Sequence, residues 1–278
     1  MLMQNHKNKS NFITKIIITI NTLMLLISFF LNDFKIESLR NNFSIGPSID
    51  ILIKMGAKST TLIQSGEIYR LFVSIFLHTG IIHYIINNLV IYQIGKIIEE
   101  EYGHVKMLLL YIISGIYGWI LSSIFLFNSI SVGSSPAIFG ILGALFADLL
   151  HNYNDLKNAK KWFMNMILNL IFSIIISLNP YIDNWSHIGG LISGFLFGCI
   201  FYLKKKNTTK YSNYIKYLSM ILLISIFIIS INSLHKLDIK AFIPYKWYDN
   251  INCVDIGLWD CTCKAMNIKT NQQIDIHC

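Results

Sequence analysis

His83, Asn87, Ser135 and His187 are side chains of the types that move protons and attack carbonyls, and each stands inside a long apolar stretch. Polar groups at membrane depth are costly and mark function. A serine within reach of an imidazole is the activated nucleophile of acyl transfer: the neutral ring takes the hydroxyl proton during attack and returns it to the leaving amine. The developing oxyanion needs donors, and His83, Asn87 and the Ser135 backbone N–H are available. His83 and Asn87 are four apart and share one helix face. Their other use is hydrogen bonding between helices, worth about 0.6 kcal/mol on average in membranes. No acid stands where a third triad member would: Asp183 precedes its helix as a loop or capping residue, and Asp148 lies at the opposite end of its segment. The pattern specifies a Ser-His dyad. Ser134 is the alternative nucleophile if the register differs by one. Asn88 faces away from Asn87 as interhelical glue, and His78 sits at the interface with no special role.

These residues need helices to hold them. The chain has 278 residues, 54% hydrophobic and 14% charged, with a mean hydropathy of +0.52, against about 25% charged in soluble domains. A soluble single domain is excluded. Ile occurs 53 times against 5 Val and 7 Ala, a bias of the A/T-rich coding kind, so Ile is discounted as a strand signal and length decides. Seven stretches approach the roughly 20 residues of a bilayer span: 12–31, 80–98, 105–127, 133–150, 162–179, 185–203 and 217–233. Open strands are not tolerated in hydrocarbon. The expected fold is therefore an all-α polytopic membrane protein. Lys7, Lys9 and Lys15 before the first stretch resemble a signal peptide, but the run ends in Ser28-Phe29-Phe30-Leu31-Asn32 without a small-residue cleavage pattern, so a retained helix is expected.

Charge sets the orientation. With the N-terminus cytosolic, 13 of the 23 Lys and Arg fall in cytosolic segments and none in the short outer loops 128–132 and 180–184, as the positive-inside rule requires. The basic balance then needs no nucleic-acid partner. The second, fourth and sixth segments all run inward, so His83, Asn87, Ser135 and His187 share one depth near the outer face. Cys253, Cys261, Cys263 and Cys278 fall in an extracytosolic tail, where disulfides persist. Disulfides are preferred to a tetrathiolate metal site because Cys261-Thr262-Cys263 is tighter than usual zinc spacing; which of three pairings forms is open. Cys199 reads as a small buried hydrophobe.

Against the Ile background, rare small residues are informative. Gly133, Gly140 and Gly143 fall in the fourth segment and Gly190, Gly194 and Gly198 in the sixth, the latter as two overlapping G-x-x-x-G steps that let helices approach closely. If these two helices touch, Ser135 meets His187. A seven-helix transporter or receptor is disfavoured, since inverted repeats and paired broken helices are absent from the sequence.

At these residues the chain resembles the rhomboid family of intramembrane serine proteases. The matching pieces are His78-Thr79-Gly80-Ile81-Ile82-His83-Tyr84-Ile85-Ile86-Asn87, then Gly95-Lys96-Ile97-Ile98-Glu99 with Gly103, then Gly133-Ser134-Ser135-Pro136 and His187-Ile188-Gly189-Gly190; Tyr69-Arg70 looks like the family's Trp-Arg pair of the first loop. The resemblance covers about 12–203. It implies a rhomboid-like six-helix bundle plus one additional C-terminal transmembrane helix of the secretase type, with Ser135 as nucleophile, His187 as base, His83 and Asn87 near the oxyanion, and no cofactor or metal. The implied layout is a cytosolic tail at 1–11, a core at 12–203 with its first loop at 32–70, a basic linker at 204–216, a seventh helix at 217–233 and an outer tail at 234–278. Implied partners are single-pass transmembrane substrates in the lipid bilayer of the secretory pathway or plasma membrane. The composition is similar to that of malaria parasites, whose rhomboids are associated with shedding surface adhesins. One departure stands out: Pro136 replaces the usual Gly after the nucleophile. It removes one N–H but suits a first helical turn. An inactive rhomboid-like protein that directs membrane clients is the alternative.

Overall fold

The computed structural model describes residues 11–39, 42–153, 182–201, 210–236, 262–267 and 272–277, with single positions 160, 164 and 167. Apolar length makes the long helices: α1 (Phe12–Leu31), a run of α5 (Ile81–Val90), a π-helical segment (Ile91–Gly95) and α6 (Lys96–Tyr102), α7 (His104–Phe125), α8 (Ser135–His151), α9 (Asn184–Phe201) and α10 (Lys210–Lys236). Between α1 and α5 the first loop forms three short helices, α2 (Ile49–Met55), α3 (Thr60–Gln64) and α4 (Arg70–Val73). Among the described residues four helices are long and apolar enough to cross a bilayer: Phe12–Leu31, Ile81–Tyr102, His104–Phe125 and Ser212–Lys236. Large apolar side chains are exposed along all four, such as Phe30 on α1, Ile86 on α5, Leu109 on α7 and Ile229 on α10. Such surface belongs in lipid. The chain is an all-α integral membrane protein in its membrane part.

The expected stretch 162–179 lies outside the described residues apart from 164 and 167, as do Cys253, Cys261 and Cys278. Cys199 is buried and free. Two features differ from the sequence reading. α10 begins at Lys210 rather than near 217, because a polar extension such as Lys210-Tyr211-Ser212-Asn213 continues a helix that apolar length cannot reveal. The tail contains an antiparallel hairpin of β1 (Thr262–Asn267) and β2 (Gln272–His277), with Thr262 opposite His277 and Asn267 opposite Gln272. The alternation Ile274-Asp275-Ile276-His277 is a strand signal that discounting Ile concealed.

The core gathers on α7, where Met107, Leu110, Tyr111 and Trp119 are buried with Ile91, Ile98, Ile141 and Phe197. Polar pins fix α1 to the α5–α6 run. The Glu99 carboxylate accepts the Ile13 and Thr14 N–H groups at 2.6 and 2.8 Å and the Thr14 hydroxyl at 2.6 Å, so an anion satisfies orphan donors at the α1 N-terminus. The Asn21 amide donates to Asn88 Oδ1 at 2.9 Å, and Thr22 and Tyr84 hydroxyls meet at 2.7 Å. Asn88 is thus glue between helices, as its position suggested.

α8 and α9 pack most extensively. A Cβ on Gly194 would lie 2.0 Å from the Gly140 carbonyl oxygen, one on Gly190 2.0 Å from the Pro136 oxygen, and one on Gly143 2.3 Å from the Leu191 oxygen. Gly198 meets Ala144 and Ala147 in the same seam. Backbone touches backbone there. Replacing Gly194 by Val forces the helices apart and is expected to cost about 2 kcal/mol or more, whereas Ile192→Val on the exposed face of α9 is expected to be near neutral. Unfolding of purified protein in mixed micelles measures both, and equal stabilities would show that the seam does not hold the bundle.

Candidate active site

Ser135 opens α8, and the residues before it shape its approach. Gly133 lies outside the helix, with φ +135°, and its N–H donates to the Ser74 carbonyl at 2.9 Å. A Cβ on Gly133 would stand 2.8 Å from His83 Cε1 and 3.0 Å from Nε2, with Ser135 Oγ at 3.8 Å from the same point. Its part is therefore to turn the chain into α8 and make room for the His83 ring, not to pack helices as the sequence reading had it. Pro136 sits in the first turn. Its ring fills the space left by Gly118 of α7, where a Cβ would come within 2.4 Å of Pro136 Cβ and 2.5 Å of the Ser186 oxygen. Three helices converge one residue beyond Ser135.

α9 supplies His187. Asp183 caps this helix: Oδ1 accepts the Ser186 N–H at 3.0 Å, while Oδ2 accepts the Ser122 and Ser131 hydroxyls at 2.5 and 2.9 Å. Asp183 is therefore a capping residue, as expected from its place. The His187 ring stacks on Phe139, with centroids 4.1 Å apart and planes at 10°. Phe139 is four residues beyond Ser135, on the same face of α8, so the stack lays the imidazole along the face that carries the serine. His187 Nδ1 is buried without a hydrogen-bond partner among the described residues. The ring is held by stacking, not by a carboxylate. No hydrogen bond joins Ser135 Oγ to His187 among the described residues, and such contacts commonly tighten only when substrate arrives.

His83 presents its Cε1–Nε2 edge to Gly133 and Ser135, while Nδ1 lies 3.0 Å from the Thr79 hydroxyl. Asn87, one turn deeper and buried, donates from Nδ2 to the His83 carbonyl at 3.0 Å. His83 and Ser135 Oγ thus both flank Gly133, and Asn87 is engaged along its own helix. Ser134 and His78 form a second pair at 3.2 Å. Both are buried, Ser134 entirely, so Ser134 is shielded whereas Ser135 is half-exposed. Sequence reasoning gave His78 no role, although its place five residues before His83 was a usable signal for the turn that precedes α5. Among the described residues no His, Cys, Asp and Glu cluster is arranged to hold a metal.

The first loop buttresses this end. The Arg70 guanidinium is buried and donates to the Ile53 and Ala57 carbonyls at 2.7 and 2.9 Å and to Glu67 at 2.6 and 2.9 Å. Exposed Tyr69 donates to the same carboxylate at 2.8 Å, and the Arg70 guanidinium lies 5.5 Å from its ring centre. Lys58 is wholly buried: Nζ donates to the Leu126 carbonyl at 2.6 Å and the Ser129 hydroxyl at 3.1 Å, and its backbone bridges Ser131.

Residues 65–204 match the Rhomboid domain family. RHOMBOID-like protein 1 of Arabidopsis thaliana is 32% identical over 276 residues, 90% of this chain and 70% of that protein. The Rhomboid protease GluP of Bacillus subtilis is 42% identical over 152 residues, 52% of this chain and 28% of that protein. The Inactive RHOMBOID-like protein 8 of Arabidopsis thaliana is 35% identical over 165 residues, 59% and 47% respectively. The chain belongs to the rhomboid family.

Burial lowers the Lys58 pKa from 10.5 to about 8, partly opposed by the Asp183 charge. Between these values the folded protein has released a proton that the unfolded chain retains, so stability rises with pH from about 8 to 10.5. It is lowest below pH 8. The expected rise is on the order of 3 kcal/mol. Unfolding followed against pH should show it in the wild type, and Lys58→Met should flatten it.

Proposed function

We propose that this rhomboid-family protein is an intramembrane serine protease working through a Ser135-His187 dyad. The observation that carries the reading is the half-exposed Ser135 at the start of α8, with the His187 imidazole stacked on Phe139 one turn along the same face. In this reading Ser135 Oγ attacks the scissile carbonyl carbon and His187 takes the hydroxyl proton. The tetrahedral oxyanion is met by the Ser135 N–H and the His83 edge, with Asn87 in the next turn. His187 then protonates the departing amine, leaving an ester on Ser135 that water hydrolyses by the same proton relay.

Substrates are single-pass membrane proteins, surface adhesins among them, cut near the outer face of the span. The protein then lies in a secretory-pathway or plasma membrane with its N-terminus cytosolic and C-terminus outside, as the distribution of Lys and Arg supports. Pro136, together with the similarity to an inactive RHOMBOID-like protein, favours a second reading in which the chain binds and directs membrane clients without cutting them. Against it, the Pro136 ring fits the gap at Gly118 in the first turn of α8, a position proline suits.

Co-expression with a type I substrate carrying an Ala- and Gly-containing span should release an ectodomain fragment from wild type and none from Ser135→Ala or His187→Ala. Absence of the fragment across several substrates would favour client binding. Pro136→Gly is expected to retain or modestly raise cleavage. A serine-reactive fluorophosphonate should label wild type and Ser134→Ala but not Ser135→Ala.

A further inference from the structure

We infer that Thr79 is a positioning residue for His83: its hydroxyl donates to Nδ1 and so fixes the imidazole as the Nε2–H tautomer, turning the ring's one N–H toward Ser135. The inference rests on the protease reading for its catalytic consequence, but the hydrogen bond it describes is independent of that reading.

A neutral imidazole carries one N–H, and the partner of one nitrogen decides which nitrogen bears it. Thr79 Oγ1 lies 3.0 Å from His83 Nδ1, while the Nε2 edge faces Gly133 and the serine. Two arrangements satisfy that distance. In one the hydroxyl donates to Nδ1, leaving Nε2–H as a donor at the place where negative charge develops. In the other Nδ1–H donates to the hydroxyl, leaving Nε2 as a lone pair that would repel an oxyanion. Nδ1 is the acceptor the Thr79 hydroxyl has among the described residues, so the second arrangement strands the O–H. The first leaves one group, Nε2–H, to be met by substrate, whereas the second leaves both the O–H and the Nε2 lone pair without partners among the described residues, and this difference selects the first.

The Thr79 backbone is held in place from outside the helix. Asn42 donates from Nδ2 to the Thr79 carbonyl at 2.8 Å. The Ile81 and Ile82 N–H groups donate to the Ile45 and Ser44 carbonyls at 3.0 and 3.1 Å, so the segment 42–46 caps α5. A Cβ on Gly46 would fall 1.9 Å from the Thr79 oxygen, and one on Gly80 2.3 Å from the Ser44 oxygen. Loop and helix start are in backbone contact, and Thr79 has little freedom to turn its side chain elsewhere.

The test uses the full chain in detergent micelles with 15N-labelled histidine, the His83 signals being identified by their loss in His83→Gln. Wild type and Thr79→Ser should show a pyridine-type Nδ1 and a pyrrole-type Nε2 at His83. In Thr79→Val, nearly isosteric and without the hydroxyl, that preference should be lost, with Thr79→Ala repeating the loss if valine does not fit. Labelling of Ser135 by a fluorophosphonate should slow about 10- to 100-fold in Thr79→Val, below the roughly 100- to 1,000-fold cost of deleting an oxyanion donor outright because the imidazole itself remains, and stay within about threefold in Thr79→Ser. A wild-type proton on Nδ1, a tautomer unchanged in both the Val and Ala variants, or undiminished labelling of folded Thr79→Val would overturn the inference. A wild type that neither cleaves nor labels defeats the protease reading alone, and the spectrum then decides the role of Thr79.

Discussion

Backbone-to-backbone contact between α8 and α9 is the constraint on which the site depends. Between helices in lipid there is no hydrophobic driving force, since the surrounding tails are as apolar as the side chains. Attraction has to come from dispersion at short range, which decays within an ångström of separation. The seam obtains that proximity with Gly140, Gly143, Gly190, Gly194 and Gly198, and one of its closest points, Gly190 against the Pro136 carbonyl, is one residue from Ser135 and three from His187. Packing and chemistry are therefore not separate features. A side chain that widened the seam would shift α9, and with it the imidazole, relative to the start of α8.

Much of this seam was legible because the chain is saturated with Ile, so each glycine is an exception that needs a reason. What the sequence could not reveal is which neighbour each exception serves. Gly140 accommodates Ser114 of α7 as well as α9, Gly118 of α7 leaves the room that Pro136 fills, and Gly133 serves the His83 ring rather than a helix pair. Contacts of this kind depend on three elements meeting, and no periodicity within one segment encodes them. His78 escaped for a related reason. Its partner Ser134 lies 56 positions away, and an imidazole near a helix start looks alike whether it faces water or a buried hydroxyl.

The five cations of the first loop take on meaning in the same way. They fall outside the charge rule that orients short loops, and two of them are structural. Arg70 closes the carbonyls at the end of α2, and Lys58 closes the Leu126 carbonyl just beyond α7. A cation at a helix C-terminus completes unpaired acceptors and opposes the negative end of the dipole. The first loop thus behaves as part of the folded body rather than as a tether, and through the segment 42–46 it caps the helix that carries His83.

Pro136 connects these strands. A proline after the nucleophile takes away an N–H that would otherwise stand among the free donors at the start of α8, and its ring instead fills the junction with α7. In the protease reading, fewer backbone donors face the oxyanion, so more of its stabilisation falls to the His83 side chain. A backbone N–H can only donate; an imidazole donates or accepts according to where its proton sits. The substitution therefore exchanges a donor fixed by peptide geometry for one fixed by a neighbour's hydroxyl. That exchange is tolerable only if the neighbour is itself immobile, which is the condition that backbone contact between the first loop and the start of α5 supplies.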